Sequence, residues 1–475
     1  MENEISKLKY YADLSPAEEQ AVDRRYSEAL ESLSDKIIVL DDDPTGVQTV
    51  HDIYVYTDWS KESIRDGLLS PQRMFFILTN SRSLTEDETI RLHTVISRNI
   101  AEVALELGIG YILVSRSDST LRGHYPAETE TIRDVTEECL HMKFDGEIFY
   151  PFFLEGGRYT LGSIHYVYEN GSLTPAHLTE FSRDRTFGFK TAYLPGYIEE
   201  KTKGRYRAGD VTCISLDDLR AGNVEKVTQQ LMEIHDFGKV VVNSAGYSDV
   251  KVFCTALIHA LNNGRHFLFR TAASFARVIG GVEGRPLLSR SEIVEEGSRH
   301  GGLIVIGSHV KKTTEQLDEL KTLCGICFIE LNQHLVFNPE ALEQEVLRVV
   351  VEASVRIAAG ETVAVFTRRD RIDFNSGDRE DELRMSARIS DAVTSVVTKL
   401  IIRPSFLIAK GGITSSDIGT KGLGVKKALV AGQVKPGVPV WITGPESRFP
   451  GLPYVIFPGN VGSRDTLKEI VAELM

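Results

Sequence analysis

A chain of 475 residues is too long for one ordinary domain, so two or three domains are expected. Hydrophobic residues make up 42% of the chain and charged residues 25%, as in soluble globular proteins, and no stretch approaches the ~20 apolar residues that span a bilayer. The net charge of −13 argues against nucleic-acid binding. The polar N-terminus has no apolar signal segment, so we expect a cytoplasmic protein whose partners include neither nucleic acid nor a membrane.

The predicted elements begin with helix. Residues 1–34 are helix-prone, and Ser15 followed by Pro16 is typical of a helix start. Beyond them, short apolar strands alternate with helices such as 86–108 and 126–143, which predicts an α/β fold with largely parallel sheets. The strands are expected at 36–40, 73–80, 111–120, 146–153, 239–245, 266–272, 302–308, 327–332, 361–367 and 404–412.

The clearest candidate boundary is residues 280–302, a stretch rich in Gly, Arg and Ser between two apolar strands. We therefore predict a helical extension at 1–34, a larger domain at 35–285 and a smaller one at 286–475. An interdomain cleft is expected between the two domains. The oligomeric state stays open, with a homo-oligomer among the alternatives.

A run of aspartates follows the first predicted strand. Asp41, Asp42 and Asp43 come directly after it, and a turn containing Thr45 and Gly46 comes next. Like charges held together raise one another's pKa unless a cation or hydrogen-bond donors intervene. One carboxylate could then act as a base on a substrate hydroxyl while another holds a metal ion or an arginine. A turn-forming role explains Asp43 but not all three.

Polar side chains also end the next two strands of this domain. They are Ser81 and Arg82 after the first of them, and Arg116, Asp118, Arg122 and Gly123 at the end of the second. Ligands of α/β sheets bind outside the carboxyl ends of the strands. Each cluster alone could be a solvated loop, but three together describe a pocket. Arginine forks bind carboxylates and aspartates accept bonds from hydroxyls, so the pocket fits a small polyhydroxylated acid.

Glycine-rich strand ends mark the second domain. They carry Gly307 with Ser308, Gly411 and Gly412 with Thr414, and Gly459 with Gly462. Glycine lets the backbone approach a ligand, and free N–H groups and hydroxyls cradle phosphate. A single pair of glycines is more often a tight turn, and neither GxxxxGK[ST] nor GxGxxG is present. Three such ends in one domain favour a nucleotide.

The chain resembles the four-carbon acid sugar kinase family over roughly residues 35–470. The family's DDxTG pattern matches residues 42–46, its KxDSTLRG pattern matches "RSDSTLRG" at 116–123, and "PFFLEGGRYTLGSIHYV" matches a third segment that includes Arg158. In the second domain, the GS…T…Q pattern matches Gly307 to Gln316, the GGxT loop matches 411–414, and the late PG…G matches 458–462.

The resemblance implies a first domain that binds a sugar acid and a second that binds ATP with Mg²⁺. The residues carried over to the acid site are Asp42, Thr45, Gly46, Ser81, Arg82, Arg116, Asp118, Arg122, Gly123 and Arg158. Those carried over to the ATP site are Ser308, Gly411, Gly412, Ile413, Thr414 and Gly459.

Two departures from the family affect the expected site. Many members have Asp or Glu where this chain has Ile413, so the group that positions magnesium is left open, with Asp417 as one candidate. Arg116 stands where the family usually has lysine, which keeps the charge but enlarges the head group. The exact acid is therefore not carried over.

The resulting prediction is ATP-dependent phosphorylation of a hydroxyl on an acid such as threonate, erythronate or a 3-oxo acid. Asp43, or its neighbour Asp42, would deprotonate the hydroxyl. Arg82, Arg116 and Arg122 would clamp the acid or the transferring phosphoryl group, with Arg122 counted among the catalytic residues.

Two alternatives to a kinase are weighed against it. Asp41, Asp43 and Thr45 also spell the DxDxT nucleophile motif of haloacid-dehalogenase-like phosphatases, in which Asp41 would be phosphorylated. The later acidic motif of such enzymes has only "NSGDREDE" at 375–382 as a candidate, without an apolar strand before it. The other alternative is a non-catalytic sugar-acid sensor.

The two cysteines Cys324 and Cys327 form one CxxC motif without a second pair, so a redox or zinc site is disfavoured.

Overall fold

The structure, a computed structural model, describes residues 14–169, 171–370, 379–459 and 461–475, without the side chains of 379–383. The chain divides into two compact units. The first unit contains the described residues up to Thr49 together with Asp58–Gly284, and the second contains Val50–Thr57 and Arg285–Met475. Among the described residues, no helix combines the length and the apolar character needed to cross a membrane.

The strands are numbered here in chain order. They are β1 Lys36–Asp41, β2 Ile53–Tyr56, β3 Met74–Leu78, β4 Tyr111–Arg116, β5 Gly146–Tyr150, β6 Arg158–Leu161, β7 Ile164–Glu169, β8 Ser172–Pro175, β9 Thr212–Ile214, β10 Gly238–Val242, β11 Phe267–Thr271, β12 Leu303–Ile306, β13 Ile326–Leu331, β14 Thr362–Thr367, β15 Leu407–Lys410, β16 Lys427–Lys435, β17 Val438–Thr443 and β18 Pro453–Phe457.

The helices are numbered in the same way. They are α1 Pro16–Glu31, α2 Lys61–Leu69, α3 Glu86–Leu107, α4 Ala127–Leu140, α5 Leu194–Lys201, α6 Leu216–Arg220, α7 Val224–Met232, α8 Tyr247–Asn262, α9 Ala273–Ile279, α10 Arg290–Ile293, α11 Lys311–Leu320, α12 Pro339–Ala358, α13 Arg379–Thr398, α14 Gly412–Asp417 and α15 Thr466–Leu474. The start of α1 has the cap that the sequence predicts, because the Ser15 side chain accepts a bond from the Glu18 backbone N–H.

The first unit is built on a parallel sheet in the order β3-β1-β4-β11-β5-β10-β9. Its strands are mostly apolar, and residues 37–40 of β1 are fully buried. Such runs are expected when both faces of a parallel sheet are covered. Strands β6, β7 and β8 form a separate antiparallel sheet.

The second unit has a parallel sheet that ends in antiparallel strands. Strands β13-β14-β12-β15-β18 run parallel, and β17, β16 and β2 continue the sheet antiparallel. Strand β2 lies in the range 35–285 that the sequence assigns to the first domain, yet it pairs with β16 from Tyr56 opposite Lys427 to Ile53 opposite Val430. The predicted α/β class with largely parallel sheets is confirmed, and the antiparallel end is an addition to it.

Candidate functional site

The carboxyl ends of three neighbouring strands bring the polar clusters of the first unit together. Asp41, the last residue of β1, lies opposite Leu78 of β3 on one side and Arg116 of β4 on the other. The segments that follow these strands therefore leave the sheet at one edge. We call this group of residues the aspartate edge; it comprises Asp41, Asp42, Asp43, Arg82, Arg116, Asp118 and Arg122.

Arg82 links three carboxylates at the aspartate edge. Its Nη2 lies 2.5 Å from Asp43 Oδ2 and 3.5 Å from Asp42 Oδ1, and its Nη1 lies 3.1 Å from Asp118 Oδ1. Burial by itself would lower the pKa of Arg82, but the charges of these aspartates outweigh it and raise that pKa. The guanidinium therefore stays charged and holds loops from three strands in place.

Asp41 lies beneath this layer and is only 1% exposed. Arg116 Nη1 lies 3.4 Å from its Oδ1, and a Cβ at Gly46 would overlap its carboxylate, so that turn requires glycine. Burial, which Arg116 only partly offsets, raises the pKa of Asp41 to about 8. Burial and the pairing with Arg116 leave Asp41 enclosed by protein groups, as a structural residue beneath the site would be.

Asp42 and Asp43 differ in how their oxygens are used. Asp43 Oδ1 accepts bonds from the Thr45 N–H at 2.8 Å and the Thr45 hydroxyl at 2.5 Å. Although burial raises its pKa, Arg82 and these donors reverse the effect and lower it. Asp42 is 3% exposed, and neither of its oxygens accepts a hydrogen bond from any described residue. Burial raises the pKa of Asp42 to about 6, so this carboxylate can exchange a proton near neutral pH.

The two remaining predicted arginines differ in their partners, since Asp118 binds Arg122 but not Arg158. Its Oδ2 accepts a bond from Arg122 Nε at 2.8 Å. The Arg122 guanidinium lies 5.0 Å from the ring centre of Phe181, and that of Arg158 lies 5.8 Å from the same ring. Arg158 forms an ion pair with Glu169, whose Oε1 lies 3.6 Å from Arg158 Nη2, and it forms none with the described aspartates. Arg158 thus borders the aspartate edge through an aromatic ring.

Two buried charged residues that the sequence patterns did not single out complete this region. Arg270 of β11 donates from Nη2 to the Arg122 carbonyl at 3.0 Å, and Glu128 of α4 accepts a bond from the Ser81 hydroxyl at 2.6 Å. Gly123 has a φ of +120°, and a Cβ there would lie 2.9 Å from Arg270 Nη2. In the sequence, Arg270 could have been noticed as a charged residue inside an otherwise apolar predicted strand.

A cavity of about 560 Å³ occupies the second unit at the carboxyl ends of β12 and β15. It is lined by Gly307, Ser308, His309, Gln333, Ser386, Ile389, Ser390, Val393, Gly411, Gly412, Ile413 and Thr414. This set includes five of the six residues predicted for nucleotide binding. The sixth, Gly459, is adjacent, since a Cβ on it would lie 3.5 Å from Ser308 Oγ.

The glycines allow the strand ends around this cavity to approach closely. Gly411 has a φ of +125°, and a Cβ there would lie 2.9 Å from the Cβ of Ser308. A Cβ at Gly412, in contrast, would meet no atom of the described residues within 4 Å. The first glycine is required by the protein itself, whereas the second leaves open space at the start of α14.

The cavity offers hydroxyl groups but no carboxylate among its described lining residues. Ile413, at the position where many relatives carry an acid, is 69% exposed. Asp417 is not among the lining residues, although its carboxylate accepts a bond at 2.6 Å from Ser390, which is one of them, and lies 3.0 Å from Lys421. The described residues hold no group of three or more His, Cys, Asp or Glu side chains arranged for a metal.

Other sequence features stay outside both sites. Cys324 is exposed and Cys327 half-buried, and both are free thiols, so the CxxC forms no disulfide. The "NSGDREDE" segment at 375–382 lies outside the residues whose side chains are described.

Two cations that no sequence motif indicated lie behind the cavity wall. Arg369 donates from Nη2 to the Ser308 carbonyl and to the Thr314 hydroxyl, each at 2.7 Å. Lys410, the last residue of β15, donates to the carbonyls of Pro458 at 2.5 Å and Gly459 at 3.4 Å. Both cations therefore fix the backbone that surrounds the predicted phosphate site.

Comparison with protein families agrees with this division of sites. A model described as a sugar-binding N-terminal domain matches residues 37–279, and one described as a nucleotide-binding C-terminal domain matches residues 303–467. The chain belongs to the four-carbon acid sugar kinase family. The aspartate edge lies in the family's sugar-binding domain, and the glycine-lined cavity lies in its nucleotide-binding domain.

Solved structures share the fold of this family member. The Haemophilus influenzae protein HI1011 aligns with a TM-score of 0.61 and 17% identity over 92% of this chain and 100% of its own. A Salmonella typhimurium LT2 protein provisionally described as a tRNA synthase aligns with a TM-score of 0.64 and 15% identity over 92% of this chain and 98% of its own. At such low identity these likenesses concern the fold alone. A search of curated proteins returns no match.

Proposed function

We propose that this protein transfers the γ-phosphoryl group of ATP to a hydroxyl of a small sugar acid of about four carbons, such as threonate, erythronate or a 3-oxo acid. The observation that carries the proposal is Asp42, a buried carboxylate without a hydrogen bond from the described residues. It lies among arginines within the family's sugar-binding domain. The oxygens of Asp42 can accept a hydrogen bond, and a hydroxyl group of a polyhydroxylated acid can donate it.

The acid is held by the cations of the aspartate edge. Arg116 and Arg122 bind its carboxylate, because guanidinium groups form paired bonds with carboxylates. Arg82 stays bound to its three aspartates and orients Asp42 toward the reacting hydroxyl. We assign the base role to Asp42 rather than Asp43, since the oxygens of Asp43 are already occupied by Thr45 and Arg82. Asp42 takes the hydroxyl proton as the oxygen attacks phosphorus.

The nucleotide binds in the cavity of the second unit. Backbone N–H groups at Gly411 and Gly412 and the hydroxyls of Ser308 and Thr414 contact the phosphates, as at other helix starts that bind anions. Mg²⁺ would neutralise phosphate charge when bound, and the hydroxyls of Ser308 and Thr414 would hold it beside the glycine loop. Gln333, Ser386 and Ser390 also line the cavity and carry side-chain oxygens. The remaining ligands would be phosphate oxygens and water.

The test of this proposal is ADP formation with a panel of four- and five-carbon sugar acids. We expect ATP consumption only when a suitable acid is present, with a phosphorylated acid as the second product. Reactions without acid and reactions with simple phosphoesters serve as controls. Acid-independent release of phosphate from phosphoesters would contradict a kinase, and binding of the acid without turnover would indicate a sensor.

The pH profile should report the base. Because Asp42 must be ionised to accept a proton, and burial raises its pKa to about 6, kcat/KM should be constant at higher pH and fall as the pH drops below about 6. The measurement is kcat/KM for the acid from pH 5 to 8 at saturating ATP. A profile that stays flat through pH 5 would assign proton transfer to another group.

Gly412→Val should weaken ATP binding without affecting the fold. Its Cβ meets no described atom, so the branched side chain projects only into the space proposed for phosphate. We expect KM for ATP to rise ~10-fold or more, which corresponds to ~1.4 kcal/mol or more, with little change in KM for the acid. Gly209→Val is the matched control, because a Cβ there also meets nothing within 4 Å. Normal ATP binding by the Gly412 variant would indicate that the 411–414 loop is an ordinary turn and does not contact phosphate.

A further inference from the structure

Lys410 is a buried lysine without an acidic partner in the described part of the chain. The residue is 0% exposed, and its Nζ lies 3.8 Å from the ring centre of Phe457. Its described bonds go to two backbone carbonyls, and the charged group with the clearest influence on it is Lys312 of α11, a like charge. A buried cation in such a place is costly unless an anion arrives to pair with it.

The titratable groups on the elements packed against β15 do not supply that anion. The hydroxyl of Tyr454, on β18, donates to the Ser415 carbonyl at 2.5 Å. The carboxylate of Asp417, at the end of α14, is bound to Ser390 and Lys421. Strand β12, on the other side of β15, consists of Leu, Ile and Val residues.

The position of Lys410 points to the missing partner. It directly precedes Gly411 and Gly412, and the carbonyls that it binds belong to Pro458 and Gly459. A Cβ on Gly459 would lie 3.5 Å from Ser308 Oγ, which lines the cavity. The ammonium therefore lies one backbone layer behind the cavity in which we place the nucleotide. We propose that Lys410 provides the buried positive charge for the nucleotide phosphates, and that one proton is taken up from solvent at its Nζ when a nucleotide binds. This inference rests on the proposed function.

The direction of the pH effect follows from the two states of the site. Without a ligand, burial lowers the pKa of Lys410 to about 7, so a large share of the molecules carry a neutral amine above neutral pH. Phosphate charge next to the site favours the ammonium and raises that pKa in the complex. Affinity is then highest below pH 7 and falls as the pH rises, by roughly tenfold per unit until the pKa of the complex is reached.

The experiment is calorimetric titration of the whole protein with ATP in several buffers of different ionisation enthalpy. At about pH 8 the phosphates, with a last pKa near 6, contribute little, so the slope against buffer enthalpy counts protons taken up by the protein. We expect close to one proton per ATP for the wild type. Lys410→Met should bind ATP at least ~10-fold more weakly near neutral pH, with almost no proton uptake. Lys410→Arg, which cannot lose its charge, should bind without proton uptake.

Lys435→Met is the control, since it removes one positive charge from a lysine of the same unit that pairs with Glu469 and does not line the cavity. It should keep both the affinity and the proton count of the wild type. Wild-type binding without proton uptake would overturn this inference alone, even if the Lys410 variants did not fold. Failure of the wild type to bind ATP at any pH would overturn the proposed function as well.

Discussion

Asp42→Asn is expected to lower the turnover number by ~10²–10⁴-fold, the usual contribution of a general base. The amide keeps the size of the carboxylate but cannot accept the hydroxyl proton. Because Asp42 lies in the first unit and the proposed ATP site in the second, the affinity for ATP should change little. The measurements are kcat with the best acid of the panel and the ATP dissociation constant by calorimetry.

Asp43→Asn is the matched comparison. Asp43 contacts Arg82 and Thr45, so its loss should act indirectly, through the position of Arg82, and reduce turnover less than the loss of Asp42. The opposite ranking, with Asp42→Asn near normal and Asp43→Asn severely impaired, would move the base role to Asp43. Equal and small effects would exclude both carboxylates as the base.

Arg82→Met should lower the free energy of unfolding by ~3–5 kcal/mol at neutral pH, the range observed when one partner of a buried ion pair is removed. The variant leaves Asp42, Asp43 and Asp118 close together without their shared cation. The measurement is denaturant unfolding of the wild type and the variant. Arg65→Met is the control, because the pair that Arg65 makes with Glu106 is exposed and should contribute less than ~1 kcal/mol.

The difference in the free energy of unfolding between the wild type and Arg82→Met should depend on pH. The pKa values of Asp43 and Asp118 are lowered in the wild type because, despite burial, Arg82 and hydrogen-bond donors favour their charged forms. The stabilisation is present above the unfolded pKa of ~4 and is lost as the pH falls below it. The difference in the free energy of unfolding between the wild type and the variant should therefore become smaller at acidic pH. A gap below ~1 kcal/mol at neutral pH would mean that Arg82 does not hold the aspartate edge together.

Much of the parallel framework could be predicted from the sequence because its signals are local. Strands β1, β3 and β4 are short apolar runs that end in or are followed by polar residues. Helix α3 is followed by Gly108, which has the left-handed backbone typical of a helix end. The proximity of the polar clusters could be predicted because each follows the carboxyl end of a parallel strand, where α/β sheets bind their ligands.

The parts that could not be predicted depend on partners that are distant in sequence. Arg270 and Lys410 belong to strands that are otherwise mostly apolar, and their importance appears only when the topology brings the Arg122 and Gly459 carbonyls to them. Tyr197 of α5 is a further example: its hydroxyl donates to the Leu121 carbonyl at 2.8 Å, and the residue is fully buried.

Strand β2 has a consequence for how the protein is made. Its partner β16 follows much later in the chain, so ribosomal synthesis must pass Val430 before the two strands can pair. A fragment that starts at residue 285 would lack β2 altogether and leave Lys427–Val430 of β16 as an open sheet edge, which is a template for aggregation. The nucleotide-binding unit is therefore not a removable module: the gene segment that encodes it is interrupted, and its first piece lies within the coding sequence of the other unit.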